Sequence, residues 1–126
     1  MSVIVLIEDN PDNARLASRL LSRHHKVIVA DEGETGLAAV ADEQPDLVLV
    51  DLGLPDVDGQ SIIAMIRQNP LLARTRVVAF TAYPEQVAHE IARAYGCDGV
   101  ITKPIDTRAF VGQVNALLDA EITPKP

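Results

Sequence analysis

Short apolar runs alternate with stretches of helical periodicity along the chain, and this alternation constrains the fold more than any other feature. The runs are continuous and rich in Val, Ile and Leu, as in strands that are buried on both faces. They cover residues 3–7, 26–30, 46–50, 76–80 and 98–102. Each run is followed by a helical pattern. Strict alternation of strands and helices predicts a parallel sheet with helices on both faces.

The connections between parallel strands are right-handed, which leaves few topologies open. Five strand–helix units fit an α/β, flavodoxin-like (βα)5 fold, a doubly wound five-stranded parallel sheet with strand order 2-1-3-4-5. Asn10 and Pro11 are typical of a helix start, and Gly96 is typical of a helix end. The first predicted helix begins at Pro11, the second covers residues 33–42 and the third covers residues 60–68. The fourth has Pro84 in its first turn and Val87, Ile91 and Ala94 on its inward side. The fifth covers residues 106–119.

Composition narrows the classes of function. The chain has 126 residues and a net charge of −7, which argues against nucleic-acid binding because that needs a basic surface. One cysteine, Cys97, excludes an internal disulfide and fits a reducing compartment. The apolar runs are too short to span a bilayer, and no basic segment precedes the first of them. These features predict a cytoplasmic protein without a membrane partner.

Acidic residues follow two strands that the topology makes neighbours. Glu8 and Asp9 come directly after the first strand, and Asp51 follows the third. Ligands of open α/β sheets bind at this switch point, and adjacent strands lie only about 4.8 Å apart. Three crowded carboxylates favour a divalent cation, and oxygen ligands of this kind suit Mg²⁺. Glu8 and Asp9 alone could equally serve the dipole at a helix start, and Asp51 could cap a loop.

A hydroxyl and an ammonium group follow the other two strands of this edge. The fourth strand leads to Thr81 and the small Ala82, and the fifth leads to Lys103 and Pro104. Taken singly, Thr81 could be a strand-end hydroxyl and Lys103 a solvated lysine. Together with a metal they could neutralise a phosphoryl group, for which the Asp51 carboxylate is the natural nucleophile.

At this point the chain resembles the response-regulator receiver family of two-component signalling, over about residues 3–119. The resemblance implies a receiver domain over residues 1–120 with a short tail, 121–126. It is carried by Ile4-Val-Leu-Ile-Glu-Asp-Asn10, by the run from Pro45 to Gly59 around Asp51, by Ala79-Phe-Thr-Ala82 and by Gly99-Val-Ile-Thr-Lys-Pro104.

The resemblance implies a role for each of these side chains. Asp51 would accept a phosphoryl group from a sensor histidine kinase or a histidine phosphotransfer protein. Thr81 and Lys103 would contact the phosphoryl oxygens, and the Lys103–Pro104 bond is expected to be cis. The Mg²⁺ ligands implied are Asp9, Asp51, the backbone carbonyl of Gly53 and, through a water molecule, Glu8. The output would be a change in protein–protein interactions, from a monomer or weak homodimer.

Three positions depart from the usual pattern of similar receivers. Many carry Tyr or Phe where this chain has Val100, and that ring moves together with the threonine during switching. Val100 cannot make that movement, which predicts weaker or different signal transmission through the fourth helix, the fifth strand and the fifth helix, and Ala82 and Pro104 are implied as further switch positions. Gly53 is expected to leave the path of an attacking water open, whereas Tyr83 could shield it or simply pack on the surface.

The resemblance implies a signalling protein that catalyses only its own phosphorylation and dephosphorylation. Two other classes of protein are alternatives to it. An aspartyl phosphatase would need a second acid where Gly53 stands. A flavodoxin-type electron carrier would need a small, neutral phosphate loop where Glu8 and Asp9 stand. Within the receiver interpretation, a free-standing regulator is favoured, and a domain of a hybrid histidine kinase or multidomain regulator is the alternative.

Overall fold

Five parallel strands form one sheet in the order β2-β1-β3-β4-β5 in the computed structural model, which describes residues 2–120. The predicted fold class and strand order are therefore confirmed. The strands are β1 (Val3–Ile7), β2 (Lys26–Ala30), β3 (Leu47–Asp51), β4 (Arg76–Thr81) and β5 (Gly99–Thr102). The predicted tail, residues 121–126, lies outside the described residues, and the division at residue 120 stays a prediction.

Five α-helices connect and flank the strands. They are α1 (Pro11–Leu21), α2 (Gly33–Glu43), α3 (Gly59–Gln68), α4 (Glu85–Tyr95) and α5 (Phe110–Asp119), with a short 3-10 helix at Pro70–Leu72. The predicted helix start at Asn10 is confirmed, because its side chain accepts hydrogen bonds of 3.0 Å from the backbone of Asp12 and Asn13. Gly96 ends α4 with a φ of +84°, a left-handed conformation that glycine adopts without strain.

The sheet divides the apolar interior into two clusters, which explains why the strands are apolar on both faces. Alternate residues of one strand point to opposite sides, so that in β1 Leu6 belongs to one cluster and Ile7 to the other. α1 and α5 cover the side of the sheet to which Leu6 points, and α2, α3 and α4 cover the side to which Ile7 points. The polar ends of the strands are consequently left at the edge of the sheet, where the loops meet.

Three predictions about the helices were wrong. The buried residues of α4 are Ala88 and Ala92, whereas Val87, predicted to face inward, is 42% exposed and Ala94 is also exposed. α5 begins at Phe110 and not at residue 106, because residues 107–109 form a turn in which the Asp106 side chain accepts the Arg108 N–H. Pro84 immediately precedes α4 and lies outside its first turn. The remaining predicted bounds agree to within one residue.

Candidate functional site

Three carboxylates meet at the carboxyl ends of β1 and β3, as the sequence predicts. Glu8 and Asp9 directly follow β1, and Asp51 is the last residue of β3. The two strands are paired in register, so that Ile7 lies opposite Val50. One carboxylate oxygen from each acid lies within 4.8 Å of the others. Glu8 and Asp51 are buried and Asp9 is exposed, which gives the cluster one open side.

Lys103 provides the positive charge inside this cluster. Its Nζ atom forms an ion pair with Glu8 Oε1 and lies 3.4 Å from Asp51 Oδ2. The side chain is only 10% exposed, so solvent screens these contacts weakly. The backbone N–H of Lys103 also donates a 2.7 Å hydrogen bond to the carbonyl of Thr81, which fixes the start of the loop after β5 to the end of β4.

The cluster shifts the pKa values of its members in opposite directions. Burial raises the pKa of Glu8 to about 7, and the neighbouring Asp51 carboxylate adds to that shift. Burial also raises the pKa of Asp9, again with a contribution from Asp51. The pKa of Asp51 is lowered: burial opposes this shift, but hydrogen bonds from Glu8 and the Gly53 N–H and the charge of Lys103 outweigh it. Of the three acids, Asp51 is thus the one whose charged form the surroundings favour.

The loop after β3 leaves access to Asp51. The Gly53 N–H donates a 2.9 Å hydrogen bond to Asp51 Oδ1, which orients the carboxylate. Gly53 itself is exposed, and a methyl group added to it would meet only Asp51 Oδ1, at 3.7 Å. Gly53 thus borders the carboxylate without covering it.

The last residue of β4, Thr81, carries a hydroxyl group, and the aromatic residue Tyr83 follows two positions later. Thr81 is 1% exposed, and its Oγ1 accepts a 3.0 Å hydrogen bond from the Tyr83 N–H. Since that oxygen acts as the acceptor there, the hydroxyl hydrogen stays available to another acceptor. Ala82 and Tyr83 are exposed. Shielding of the attacking water by Tyr83 stays a prediction.

Val100 and Pro104 flank the site residue Lys103. The Lys103–Pro104 peptide bond is cis, as predicted. Val100 lies opposite Ala79 in the sheet and packs, half-buried, against the cluster covered by α2, α3 and α4. Val100 thus packs as an aliphatic side chain against this cluster.

Two residues near the site were not predicted from the sequence. The ring of Phe80 lies beneath the Lys103 ammonium, with 4.8 Å between Nζ and the ring centroid. Asp56, which the sequence indicates only as part of a turn, hydrogen-bonds to the backbone of Gly33 and Glu34 at the start of α2. The one available signal was the position of Phe80 directly before Thr81 at the end of a strand. Nothing in the sequence pairs Asp56 with α2.

The chain belongs to the response regulator receiver domain family, whose model matches residues 4–115. It is similar to the protein PilH of Pseudomonas aeruginosa, with 25% identity across 94% of this chain and 98% of that protein. It is also similar to the polar-differentiation response regulator DivK of Brucella anthropi, with 28% identity across 91% of this chain and 94% of DivK.

Solved structures of similar proteins share this fold. The Mn²⁺-bound form of the response regulator Rcp1 is 27% identical and superposes with a TM-score of 0.81, covering 99% of this chain and 100% of Rcp1. A receiver domain from Methanospirillum hungatei, 22% identical, shares the fold with a TM-score of 0.85 over 94% of both chains. The protein is thus a response regulator receiver domain. Among residues 2–120, no helix has the length and apolar character needed to cross a membrane.

Proposed function

We propose that this receiver domain accepts a phosphoryl group from a phosphohistidine donor onto Asp51 in an Mg²⁺-dependent reaction. The observation that carries the proposal is that the carboxylates of Glu8 and Asp9 and the Lys103 ammonium meet around the buried carboxylate of Asp51. A receiver domain that interacts with sensor histidine kinases or histidine phosphotransfer proteins would use these groups in this way. A cytoplasmic location belongs to the same proposal.

The donor set fits a hard divalent cation. It consists of carboxylate oxygens, one exposed acid leaves room for water, and neither histidine nor thiol takes part. Asp9, Asp51 and the Gly53 carbonyl would hold Mg²⁺ directly, and Glu8 would act through a water molecule. When bound, the cation supplies positive charge against the phosphoryl oxygens. The similar Rcp1 structure is a Mn²⁺-bound form, which supports a divalent cation here.

The chemistry expected of the protein's own side chains is nucleophilic displacement at phosphorus. A carboxylate oxygen of Asp51 forms the new P–O bond while the P–N bond of phosphohistidine breaks, and the imidazole leaves with the electron pair and takes up a proton from solvent. Lys103 and the Thr81 hydroxyl contact the phosphoryl oxygens and stabilise their charge. Hydrolysis of the acyl phosphate by water returns Asp51 and releases inorganic phosphate.

Phosphorylation is proposed to change protein–protein contacts rather than to turn over an external substrate. Ala82, Tyr83, Val100 and Pro104 surround Thr81 and Lys103 along the chain and are the positions expected to modulate the switch. Tyr83 is exposed beside Thr81, and Val100 packs in the core, so the two differ in what they contact. The downstream target is a protein, bound by a monomer or weak homodimer.

The test is an intact-mass measurement after incubation with acetyl phosphate and Mg²⁺. We expect the gain of one phosphoryl group, which is lost in Asp51→Asn and in EDTA. Asp42→Asn, an exposed Asp of α2, is the matched control and should gain the group normally. A folded wild-type chain that gains nothing from acetyl phosphate or a phosphohistidine donor, or an Asp51→Asn variant that still gains it, would contradict the proposal.

A further inference from the structure

The ammonium of Lys103 contacts two kinds of negative potential. It pairs with the carboxylates of Glu8 and Asp51. It also lies over the face of the Phe80 ring, whose centroid is 4.8 Å from Nζ. The face of an aromatic ring carries the negative part of its quadrupole and attracts a cation at this distance. The attraction is stronger where water is excluded, and the Lys103 side chain is 10% exposed.

We propose that Phe80 is a positioning residue, whose ring holds the Lys103 ammonium at the height where it meets the phosphoryl oxygens. The inference rests on the proposed function, because it concerns the lysine of that reaction. A lysine side chain has a flexible four-carbon stem and makes no rigid, bidentate contact of its own. A fixed partner is therefore needed if its position is to be set before the phosphoryl group arrives.

The carboxylates cannot be that fixed partner throughout the reaction. Asp51 changes from a carboxylate to an acyl phosphate, and a bound cation would compete with Lys103 for the acids. The ring of Phe80 takes part in neither change. Its attraction for the ammonium is the same before and after transfer, so it can keep Lys103 in place while the ionic contacts are exchanged.

The position of the ring is itself well determined. Phe80 is 0% exposed and lies on β4 directly opposite Asp51 in the sheet register, with Ile101 on its other side. Its ring packs against the ring of Phe110, with centroids 5.8 Å apart and a 35° angle between the planes. The residue whose ring contacts Lys103 is thus paired in the sheet with Asp51, the proposed phosphoacceptor.

The simpler explanation is that Phe80 only fills the core. Phe110 offers the matched control, because it is the same residue type, equally buried in the same apolar cluster. Leu in place of either Phe leaves a similar loss of volume and hence a similar loss of stability. Only Phe80→Leu removes the ring face beneath Lys103.

The experiment measures the initial rate of phosphorylation by acetyl phosphate in saturating Mg²⁺, followed by intact mass. Phe80→Leu is expected to react about three to ten times more slowly than wild type, and Phe110→Leu to remain within about twofold. A second series replaces Phe80 by 4-fluoro-, 3,5-difluoro- and 3,4,5-trifluorophenylalanine through stop-codon suppression. Fluorine withdraws charge from the ring face with little change in shape, so the fold is kept while the cation–π attraction weakens.

A rate that falls stepwise with each added fluorine, at unchanged melting temperature, supports the positioning role. A rate that is independent of fluorination overturns it and leaves the proposed function intact, whatever the rate of Phe110→Leu, whose ring packs directly against Phe80. A wild-type chain that accepts no phosphoryl group overturns both together. The two failures are therefore distinguished by the wild-type reaction alone.

Discussion

The carboxylate of Asp56 lies 2.8 Å from the backbone nitrogen of Gly33, so a residue in the loop after β3 caps the helix that precedes β3. The second oxygen of Asp56 accepts a hydrogen bond of 3.0 Å from the Glu34 N–H. The residue that directly precedes α2, Glu32, makes no such bond with its side chain. The loop that begins at Asp51 is consequently tied to α2 by one side chain.

Asp56→Asn should lower the stability of the protein at neutral pH. The two backbone hydrogen bonds lower the pKa of Asp56 below its ordinary value of 3.8, because they favour the charged form. Because the pKa of Asp56 is lower in the folded state, its carboxylate stabilises the folded protein above about pH 4. That contribution is lost as the pH falls through the pKa of Asp56 in the folded state. We expect the urea midpoint of Asp56→Asn to lie below that of wild type at pH 7, and the difference to shrink below pH 4.

The control for this prediction is Asp31→Asn, an exposed aspartate just before α2. It should have the same urea midpoint as wild type at both pH values. A difference between Asp56→Asn and wild type that persists unchanged to pH 3 would show that the carboxylate charge plays no part in the cap.

Glu8 should make the stability of the metal-free protein depend on pH. Its pKa is raised from 4.5 to about 7, so the folded state binds this proton more tightly than the unfolded chain does. Stability in EDTA should therefore fall as the pH rises from about 4.5 to 7, by an amount on the order of 1–3 kcal/mol. Glu8→Gln lacks the proton-linked group and should lose less stability over this range in urea titrations.

Glu90→Gln on the exposed side of α4 is the matched control and should follow the wild-type pH dependence. Mg²⁺ should raise the urea midpoint of wild type at pH 8 more than that of Glu8→Gln, because bound cation stabilises the folded state that binds it. Equal pH dependence in wild type and Glu8→Gln would be the contrary result.

Arg67 should be a major contributor to stability although it is remote from the acidic cluster. Its Nη2 atom lies 2.6 Å from Asp98 Oδ2 and donates to the Thr75 carbonyl at 2.9 Å, and its Nε donates to the Gly96 carbonyl. The pair is mostly buried, with side chains 12% and 22% exposed. Arg67→Met leaves a partly buried carboxylate without this partner, which should cost about 2–4 kcal/mol of unfolding free energy.

Urea unfolding at pH 7 measures this effect, and Arg93→Met is the control. Arg93 lies in the last turn of α4 and is exposed, so its replacement should change the unfolding free energy by less than about 0.5 kcal/mol. Similar losses in the two variants would contradict the importance of the Arg67–Asp98 contact.

Gly59 should tolerate no side chain, in contrast to Gly53. A Cβ atom at Gly59 would lie 2.6 Å from the carbonyl oxygen of Asp51 and 2.6 Å from Leu52 Cα, so the backbone at the end of β3 would have to move. Gly59→Ala should cost about 1–3 kcal/mol of unfolding free energy. It should also slow phosphorylation by acetyl phosphate, since the shift begins at Asp51.

Gly53→Ala is the matched variant, because an added methyl group meets only Asp51 Oδ1, at 3.7 Å. It should unfold at the same urea concentration as wild type to within about 0.5 kcal/mol. Gly59→Ala with the stability and phosphorylation rate of Gly53→Ala would contradict the prediction.

The sequence predicted the sheet and the acidic cluster well, because both follow from order along the chain. Continuous apolar strands and parallel topology place Glu8, Asp9 and Asp51 at one edge whatever the details of packing. The inward face of α4 was predicted only in part: Ile91 packs against the core as expected, but the buried residues are Ala88 and Ala92 rather than Val87 and Ala94.

Contacts between distant segments could not be predicted. Arg67 and Asp98 are ordinary surface-type residues in the sequence, and only the packing of α3 beside the turn before β5 brings them together. Phe80 belongs to the predicted fourth strand, but its contact with Lys103 depends on how the loop after β5 lies across the sheet. Such contacts are set by tertiary packing, which periodicity and turn signals do not describe.

The residues of the acidic cluster and Lys103 are synthesised at different times. A ribosome makes the amino-terminal parts of a domain first, so Glu8, Asp9 and Asp51 are all synthesised well before Lys103. A nascent chain that has β1 and β3 but not yet the loop after β5 carries the acids without the lysine that pairs with Glu8 and Asp51. Lys103 is therefore the last of these four side chains to be synthesised, and the negative charge of Glu8 and Asp51 is balanced by it only then.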